Sequence, residues 1–189
     1  LGFTLDGGMA QYNVSPERCL FRLPDDISMD EGALLENLSN AVAAVRRVGL
    51  TVSERVLVIG ATPIGMLAIQ VARLSSPESI VMVGAGSSRL QMAIDLRASA
   101  ALEIRDPDIS AKAAAALPGG ADAVLICGYG ARDFDLAINM VASGGRVLVE
   151  GHYDPLMQVE VTPRDLADKS VTLVPSRGWS TPDFQRSLD

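Results

Sequence analysis

The sequence predicts an α/β protein with a doubly wound parallel sheet of six strands, preceded by a short segment of different character. From Arg55 onward, apolar strand patterns alternate with amphipathic helix patterns, which indicates a parallel sheet covered on both faces. The first strand also breaks at Gly60 into a turn that leads to a helix. With 189 residues, 48% of them hydrophobic, the chain can bury one full core.

Each predicted strand is a short apolar run bounded by glycine, proline or charge. In chain order, the predicted strands are residues 56–59, 80–83, 101–104, 123–127, 147–149 and 170–174. The predicted helices are residues 63–74, a segment that begins at Ser87 or Ser88, residues 109–117, a segment with Phe134, Ala137, Ile138 and Val141 on its apolar face, and a short turn near Leu166.

The segment before Arg55 has a different pattern. Residues 9–14 and 19–23 resemble short strands, and residues 30–48 predict one long helix that ends at Gly49. We expect this segment to include the rim of a neighbouring domain.

Composition excludes several classes of function. The net charge of −7 is spread along the chain without a basic stripe, so neither nucleic acid nor an anionic membrane is an expected partner. No apolar run is long enough for a bilayer-spanning helix or a secretory leader, and we expect a cytoplasmic protein. Cys19, Cys127 and the single histidine, His152, cannot form a disulfide framework or a Cys/His zinc cluster.

The turn after the first strand is a candidate phosphate site. Gly60 suits the tight turn, and Pro63 suits the first helical turn. Gly65 would allow the helix to lie close to the sheet, and Ile64, between Pro63 and Gly65, has a backbone amide that can face a phosphate. Thr62 occupies the place of the middle glycine of G-x-G-x-x-G. On spacing alone, an ordinary βα unit explains the turn equally well.

Four segments carry a resemblance to a known family: DGGMAQY at 6–12, ALLENLSNAVAAV at 33–45, GATPIG at 60–65 and GGRVLVEG at 144–151. Together they resemble the medium-chain dehydrogenase/reductase family, and most of all its zinc-type alcohol and polyol dehydrogenases. The resemblance implies that residues 1–28 are a remnant of a GroES-like catalytic domain. It implies that residues 29–189 are an NAD(P)-binding Rossmann domain with its leading helix. The family's N-terminal zinc ligands would lie upstream of Leu1.

The resemblance also implies roles for individual residues. Glu36 matches a glutamate that can ligate the catalytic zinc, although a helix carboxylate satisfied by the dipole or a cation is the alternative. Asn40 matches a position near the nicotinamide ring, or is a polar residue on a cleft-facing turn. The segments after the fourth and fifth strands would line the nicotinamide half, which adds Cys127, Gly128, Val149 and Gly151.

The end of the second strand bears on the choice of cofactor, because an acidic side chain there binds both ribose hydroxyls and repels a 2′-phosphate. Gly84 occupies that place, and Ala85 and Ser88 continue a loop that can form a small phosphate nest, with Arg89 nearby. Arg105, just after the third strand, is a second phosphate candidate or a solvated surface charge. The sequence therefore favours NADP, with NAD as the alternative.

The resemblance implies hydride transfer between an alcohol, polyol or ketone substrate and the nicotinamide, with zinc only in the full-length protein. This chain alone is expected to bind cofactor without turnover. A zinc-free quinone or enoyl reductase and a non-catalytic nucleotide-binding module are the alternatives, the latter favoured by Thr62, Asn37 and Arg97. The resemblance also implies a homodimer through the sixth strand.

Overall fold

A six-stranded parallel sheet forms the centre of the computed structural model, which describes residues 6–151 and 153–188. The strand order is β3-β2-β1-β4-β5-β6, so the predicted doubly wound sheet is confirmed. The strands are β1 (Arg55–Ile59), β2 (Ser79–Gly84), β3 (Ala100–Glu103), β4 (Ala121–Ile126), β5 (Val141–Glu150) and β6 (Thr172–Ser176).

Helices cover both faces of this sheet. They are α1 (Met29–Gly32), α2 (Leu35–Val48), α3 (Pro63–Arg73), α4 (Ser87–Asp95), α5 (Ile109–Ala116), α6 (Ala131–Met140), α7 (Pro163–Lys169) and α8 (Thr181–Arg186). Val56 and Val58 of β1 face the core under α2, α3 and α4, whereas Leu57 and Ile59 face the core under α5 and α6. Because both faces are buried, the strands are apolar throughout rather than alternating.

The strand order reverses between β1 and β4. After β1 the chain adds β2 and β3 on one side, and it then returns to place β4 on the other side. The two connections leave in opposite directions and open a crevice at the carboxyl ends of these strands, where ligands bind in such sheets. The turn at Gly60 follows β1, and Cys127 follows β4, so both border this crevice.

The strands predicted at 9–14 and 19–23 are wrong. The first segment is irregular, and the second begins in a short 3₁₀ turn, Glu17–Cys19, and continues as extended chain outside any strand. A strand needs a neighbour to pair with, and within residues 6–28 the structure offers none. Phe21 instead anchors this segment by stacking on Phe184 at 4.1 Å and meeting Trp179 edge-on at 6.0 Å.

The single helix predicted over 30–48 is divided in two. Ser28 accepts the Glu31 amide while the Glu31 carboxylate accepts the Ser28 amide, and this reciprocal cap starts α1 at Met29, one residue earlier than predicted. The chain then bends after Gly32, and α2 runs from Leu35 until Gly49 adopts a left-handed conformation.

The starts of β5 and β6 also differ from the prediction. Val141, expected on a helix face, already pairs with Ala121 in β5, and the register shifts before Arg146 because the chain bulges there. Ser170 ends α7 with φ 53°, so β6 starts at Thr172 and includes a proline. Across residues 6–151 and 153–188, none of the helices has both the length and the apolar character needed to cross a bilayer.

Candidate functional site

Two glycines shape the turn between β1 and α3. Gly60 has φ 114°, and a Cβ on it would lie 2.3 Å from the Gly128 nitrogen. A Cβ on Gly65 would lie 2.0 Å from the Gly60 carbonyl oxygen. The turn therefore packs directly on the end of β4, and only glycine fits at either position. This close approach leaves a backbone cradle at the point where the strand order reverses.

Thr62, the departure from the glycine pattern, has a defined role. Its hydroxyl oxygen accepts a hydrogen bond from the Gly65 amide at 3.1 Å and donates to the Cys127 carbonyl at 3.0 Å. The side chain thus caps α3 and ties the turn to β4. Because Gly65 is engaged and Pro63 has no N–H, Ile64 supplies the first-turn amide that a phosphate can use.

The end of β2 packs against the same turn. A Cβ on Gly84 would lie 2.5 Å from the Ala61 Cβ, so glycine is required there for packing as well. Ala85 is half-buried, and Ser88 and Arg89 are exposed in the first turn of α4. Arg89 also lines an open, mainly apolar cavity of 400 Å³ that includes Leu34, Ala61, Thr62, Pro63 and Met66. The structure therefore brings Arg89 beside the glycine turn.

Glu103 is a residue of this site that the sequence prediction missed. It is the last residue of β3 and the parallel partner of Gly84. Its carboxylate accepts the Gly86 amide at 3.1 Å and the Arg105 amide at 3.2 Å, and these two hydrogen bonds lower the pKa of Glu103. An ionised carboxylate therefore stands on the loop that was expected to offer its amides to a phosphate.

Arg105 lies apart from Arg89. It lines a cavity of 330 Å³ that includes Asp106, Ser110, Arg132 and Asn139, on the side of the sheet covered by α5 and α6. Arg89 belongs to α4, on the opposite side. The two arginines proposed from the sequence therefore line different cavities on opposite sides of the sheet.

The end of β4 is closely packed. Cys127 is buried, and burial raises the pKa of its thiol to about 12, so the thiol is neutral and its carbonyl serves Thr62. A Cβ on Gly128 would lie 2.2 Å from Asp133, whose carboxylate accepts the Gly130 amide at 3.0 Å. Cys127 and Gly128 can therefore contact a ligand only through their backbone.

The end of β5 meets an aromatic pair that the sequence prediction did not include. The Tyr153 hydroxyl lies 3.2 Å from the Glu150 carbonyl oxygen and 3.3 Å from the Gly128 carbonyl oxygen. Burial raises the pKa of Tyr153, so its hydroxyl stays a donor. Tyr129 contacts Tyr153 edge-on and lies over Gly151, where a Cβ would come within 3.1 Å of the ring. Val149, half-buried, precedes this cluster.

A buried polar group joins β5, β6 and α2. The Glu150 carboxylate is 2% exposed and accepts the Ser176 hydroxyl, while the Arg47 guanidinium donates to the same hydroxyl at 2.7 Å and to the Gly178 carbonyl at 2.8 Å. Burial raises the pKa of Glu150, opposed by its hydrogen bonds and by Arg47. Glu150 was not among the predicted site residues, although its position at the carboxyl end of β5 could have identified it.

Glu36 and Asn40 lie together on α2. The buried Asn40 amide donates to the Glu36 carbonyl and to its carboxylate, both at 2.9 Å, and the Trp179 indole donates to the same carboxylate at 3.2 Å. In the part of the chain that the structure describes, no three His, Cys, Asp or Glu side chains are grouped to hold a metal ion. These residues alone therefore do not fit a tetrahedral zinc site. His152 lies outside the described residues.

Comparisons with known proteins agree with this geometry. A family model described as zinc-binding dehydrogenase matches residues 63–189. L-idonate 5-dehydrogenase from Vitis vinifera is 32% identical over 84% of this chain and 44% of its own length, so the chain spans less than half of this relative.

Solved structures match the fold. A zinc-binding dehydrogenase from Sinorhizobium meliloti 1021 bound to NADP has a TM-score of 0.83 at 23% identity, covering 89% of this chain and 50% of its own. An alcohol dehydrogenase from E. coli CFT073 complexed with NADH has a TM-score of 0.91 at 19% identity, covering all of this chain and 55% of its own.

Proposed function

The chain belongs to the zinc-binding dehydrogenases of the medium-chain dehydrogenase/reductase family, and on that premise we propose that it is the nucleotide-binding part of a zinc-type alcohol or polyol dehydrogenase. One observation carries the proposal: the Gly60 turn packs on Gly128 where the strand order reverses. In this proposal residues 1–28 belong to the catalytic domain and residues 29–189 form the nucleotide-binding domain.

A bound nicotinamide coenzyme would exchange a hydride with the carbinol or carbonyl carbon of an alcohol, polyol or ketone. The residues of this chain would bind the coenzyme and orient its nicotinamide ring. The Ile64 amide and the positive N-terminal end of α3 would bind the diphosphate of the coenzyme. Gly60 and Gly65 have no side chain that would block the diphosphate from the backbone. The backbone at Cys127, Gly128, Val149 and Gly151 would hold the nicotinamide half, with Asn40 on the facing helix.

We also propose that NADP is preferred over NAD. Gly84 offers no carboxylate from β2, and packing against Ala61 excludes any side chain there. Ser88 and Arg89 lie in the first turn of α4, directly after this loop, and Arg105 lies two residues after Glu103, so one hydroxyl and two cations are available to a 2′-phosphate. The NADP-bound relative from Sinorhizobium meliloti shares the fold.

Isothermal titration of the intact protein with NADP⁺ and with NAD⁺ tests both statements. We expect NADP⁺ to bind more tightly, and the double variant Arg89→Ala with Arg105→Ala to lose that preference. Glu160→Gln, an exposed change on the loop before α7, is the matched control. Absence of heat with either coenzyme would refute nucleotide binding, and tighter NAD⁺ binding would refute only the preference.

Zinc is proposed only for the full-length protein, with Glu36 as one ligand. Asn40 and Trp179 already orient its carboxylate. Elemental analysis of the full-length protein should find zinc, and Glu36→Gln should lower its content. Zinc-free protein that reduces quinones or enoyl substrates would favour the reductase alternative.

A nucleotide-binding module without turnover is the second candidate. It is favoured by Thr62, which engages the Gly65 amide, and by Arg97, which replaces a glycine common in relatives and adopts φ 76°. Full-length protein that binds NADP⁺ but oxidises no member of a broad alcohol panel would support this reading.

We propose that two copies pair through β6, the edge strand that carries Leu173 with 43% of its surface exposed. Light scattering should show a dimer, and Leu173→Lys should dissociate it. A cytoplasmic location without nucleic-acid or membrane partners is proposed from the dispersed charge of −7, and cell fractionation tests it.

A further inference from the structure

The β2–α4 loop carries a negative charge that comes from a neighbouring strand. Glu103 ends β3 opposite Gly84, and its carboxylate accepts the Gly86 amide at 3.1 Å. A second hydrogen bond from the Arg105 amide, at 3.2 Å, fixes the other carboxylate oxygen. Both carboxylate oxygens of Glu103 thus accept a hydrogen bond, and one of the two donors is the amide of Gly86, the N-cap residue of α4.

We propose that Glu103 weakens the preference of this protein for NADP over NAD, by occupying and charging the loop that a 2′-phosphate must enter. This inference rests on the proposed binding of a nicotinamide nucleotide at that loop. It concerns a residue of β3, whereas the residue at the end of β2 is a glycine with no room for a side chain.

The physical reason is competition for one donor and repulsion between like charges. A 2′-phosphate carries a charge of about −1.5 to −2 at neutral pH and needs N–H donors. The Gly86 amide is such a donor, but Glu103 holds it. Binding of NADP therefore requires the carboxylate to release the amide or to remain beside the phosphate. A ribose with a free 2′-hydroxyl imposes neither requirement, since a hydroxyl can donate to a carboxylate.

The cations around the loop act in the opposite direction. Arg89 and Arg105 line cavities on opposite sides of the sheet, and their positive charges would attract a phosphate that reaches the loop. The coenzyme preference is then the difference between these attractions and the penalty from Glu103. Removal of the Glu103 charge should shift that difference toward NADP without altering the cradle at Gly60.

The test measures dissociation constants of the intact protein for NADP⁺, NAD⁺, 2′,5′-ADP and 5′-AMP. Glu103→Gln should raise the ratio of the NAD⁺ to the NADP⁺ dissociation constant about three- to tenfold, as expected for one partly screened charge. The same shift is expected for the 2′,5′-ADP and 5′-AMP pair. Glu160→Gln removes one charge from a residue that lines neither of the two arginine cavities, and it should leave both ratios unchanged.

Glu103→Ala separates electrostatics from loop support. If Glu103 only braces the loop, both Glu103 variants will weaken all four ligands equally and leave the ratios unchanged, which would overturn the inference. If the wild-type protein binds none of the ligands, the proposed function fails and the inference falls with it. If the wild type binds them and the ratios do not respond, only the role of Glu103 is wrong.

Discussion

Substitution of Gly65 by alanine should destabilise the protein, although alanine is the better helix former. The new methyl group would lie 2.0 Å from the Gly60 carbonyl oxygen, whereas non-bonded heavy atoms prefer a separation of about 3.5 Å. Relief of this overlap requires α3 to move away from β1. That movement would disturb the buried packing of Met66, Ala68 and Ile69.

The expected magnitude follows from two opposed contributions. Extra volume in a well-packed site typically lowers the free energy of unfolding by about 1–3 kcal/mol. Removal of glycine from a helix contributes about 0.5–1 kcal/mol in the other direction. The overlap at Gly65 is with backbone, which cannot rotate away, so the packing loss should dominate. We expect a net loss of about 1–2 kcal/mol and a decrease in Tm of roughly 2–8 °C.

Gly32→Ala is the matched control. A Cβ on Gly32 meets only the flexible end of Leu23, at 3.1 Å, and Gly32 also lies in a helix. Urea unfolding monitored by circular dichroism should show lower stability for Gly65→Ala and near-unchanged stability for Gly32→Ala. Equal stability of Gly65→Ala and wild type, with an unchanged dependence on urea, would refute the close approach of the turn to α3.

Three further results are expected. Thr62→Ala should lose about 1–2 kcal/mol in urea unfolding, because the cap of α3 and the partner of the Cys127 carbonyl both disappear, while Thr62→Ser should retain most of the stability. The Arg46 guanidinium lowers the pKa of the buried Asp183, so the ionised Asp183 stabilises the fold above its unfolded pKa of about 3.9 and this stabilisation is lost on acidification. Below about pH 4, Tm should therefore decline less steeply with falling pH in Asp183→Asn than in wild type, and equal declines would contradict this. Ellman's reagent at pH 8 should titrate the exposed Cys19 alone in native protein and both cysteines in denaturant; rapid reaction of Cys127 would show that its thiol is not buried.

The sheet was predictable because its signal is local. A strand buried on both faces is an apolar run, and glycine and proline punctuate the connections. The strands predicted before Arg55 failed for a reason outside the local pattern, since no neighbouring strand exists for them among residues 6–28. Likewise, the bend after Gly32 divides a helix whose apolar spacing continues without interruption.

The site was predictable only in part, because sequence position does not give the register between strands. Gly60 and Gly65 could be identified from their turn chemistry and Gly84 from its place at the end of the second strand, and each is required by a close contact. Glu103 was missed because its proximity to the β2–α4 loop depends on pairing with Gly84 across nineteen residues of chain. Tyr153 was missed because its contacts come from two strand ends at once.

Pro175 limits the pairing of further strands with β6, the edge strand of the sheet. The Gly151 amide donates to the Ser176 carbonyl at 3.3 Å, so the Ser176 backbone points inward and, by alternation along the strand, those of Leu173 and Pro175 point outward. The outward edge of β6 therefore has no N–H donor at Pro175, and only the backbone groups of Leu173 can form a complete pair of hydrogen bonds with an added strand. A second copy in the proposed dimer would therefore have to pair at Leu173 and do without a backbone hydrogen bond at Pro175, and the same gap disfavours cross-β aggregation along this edge.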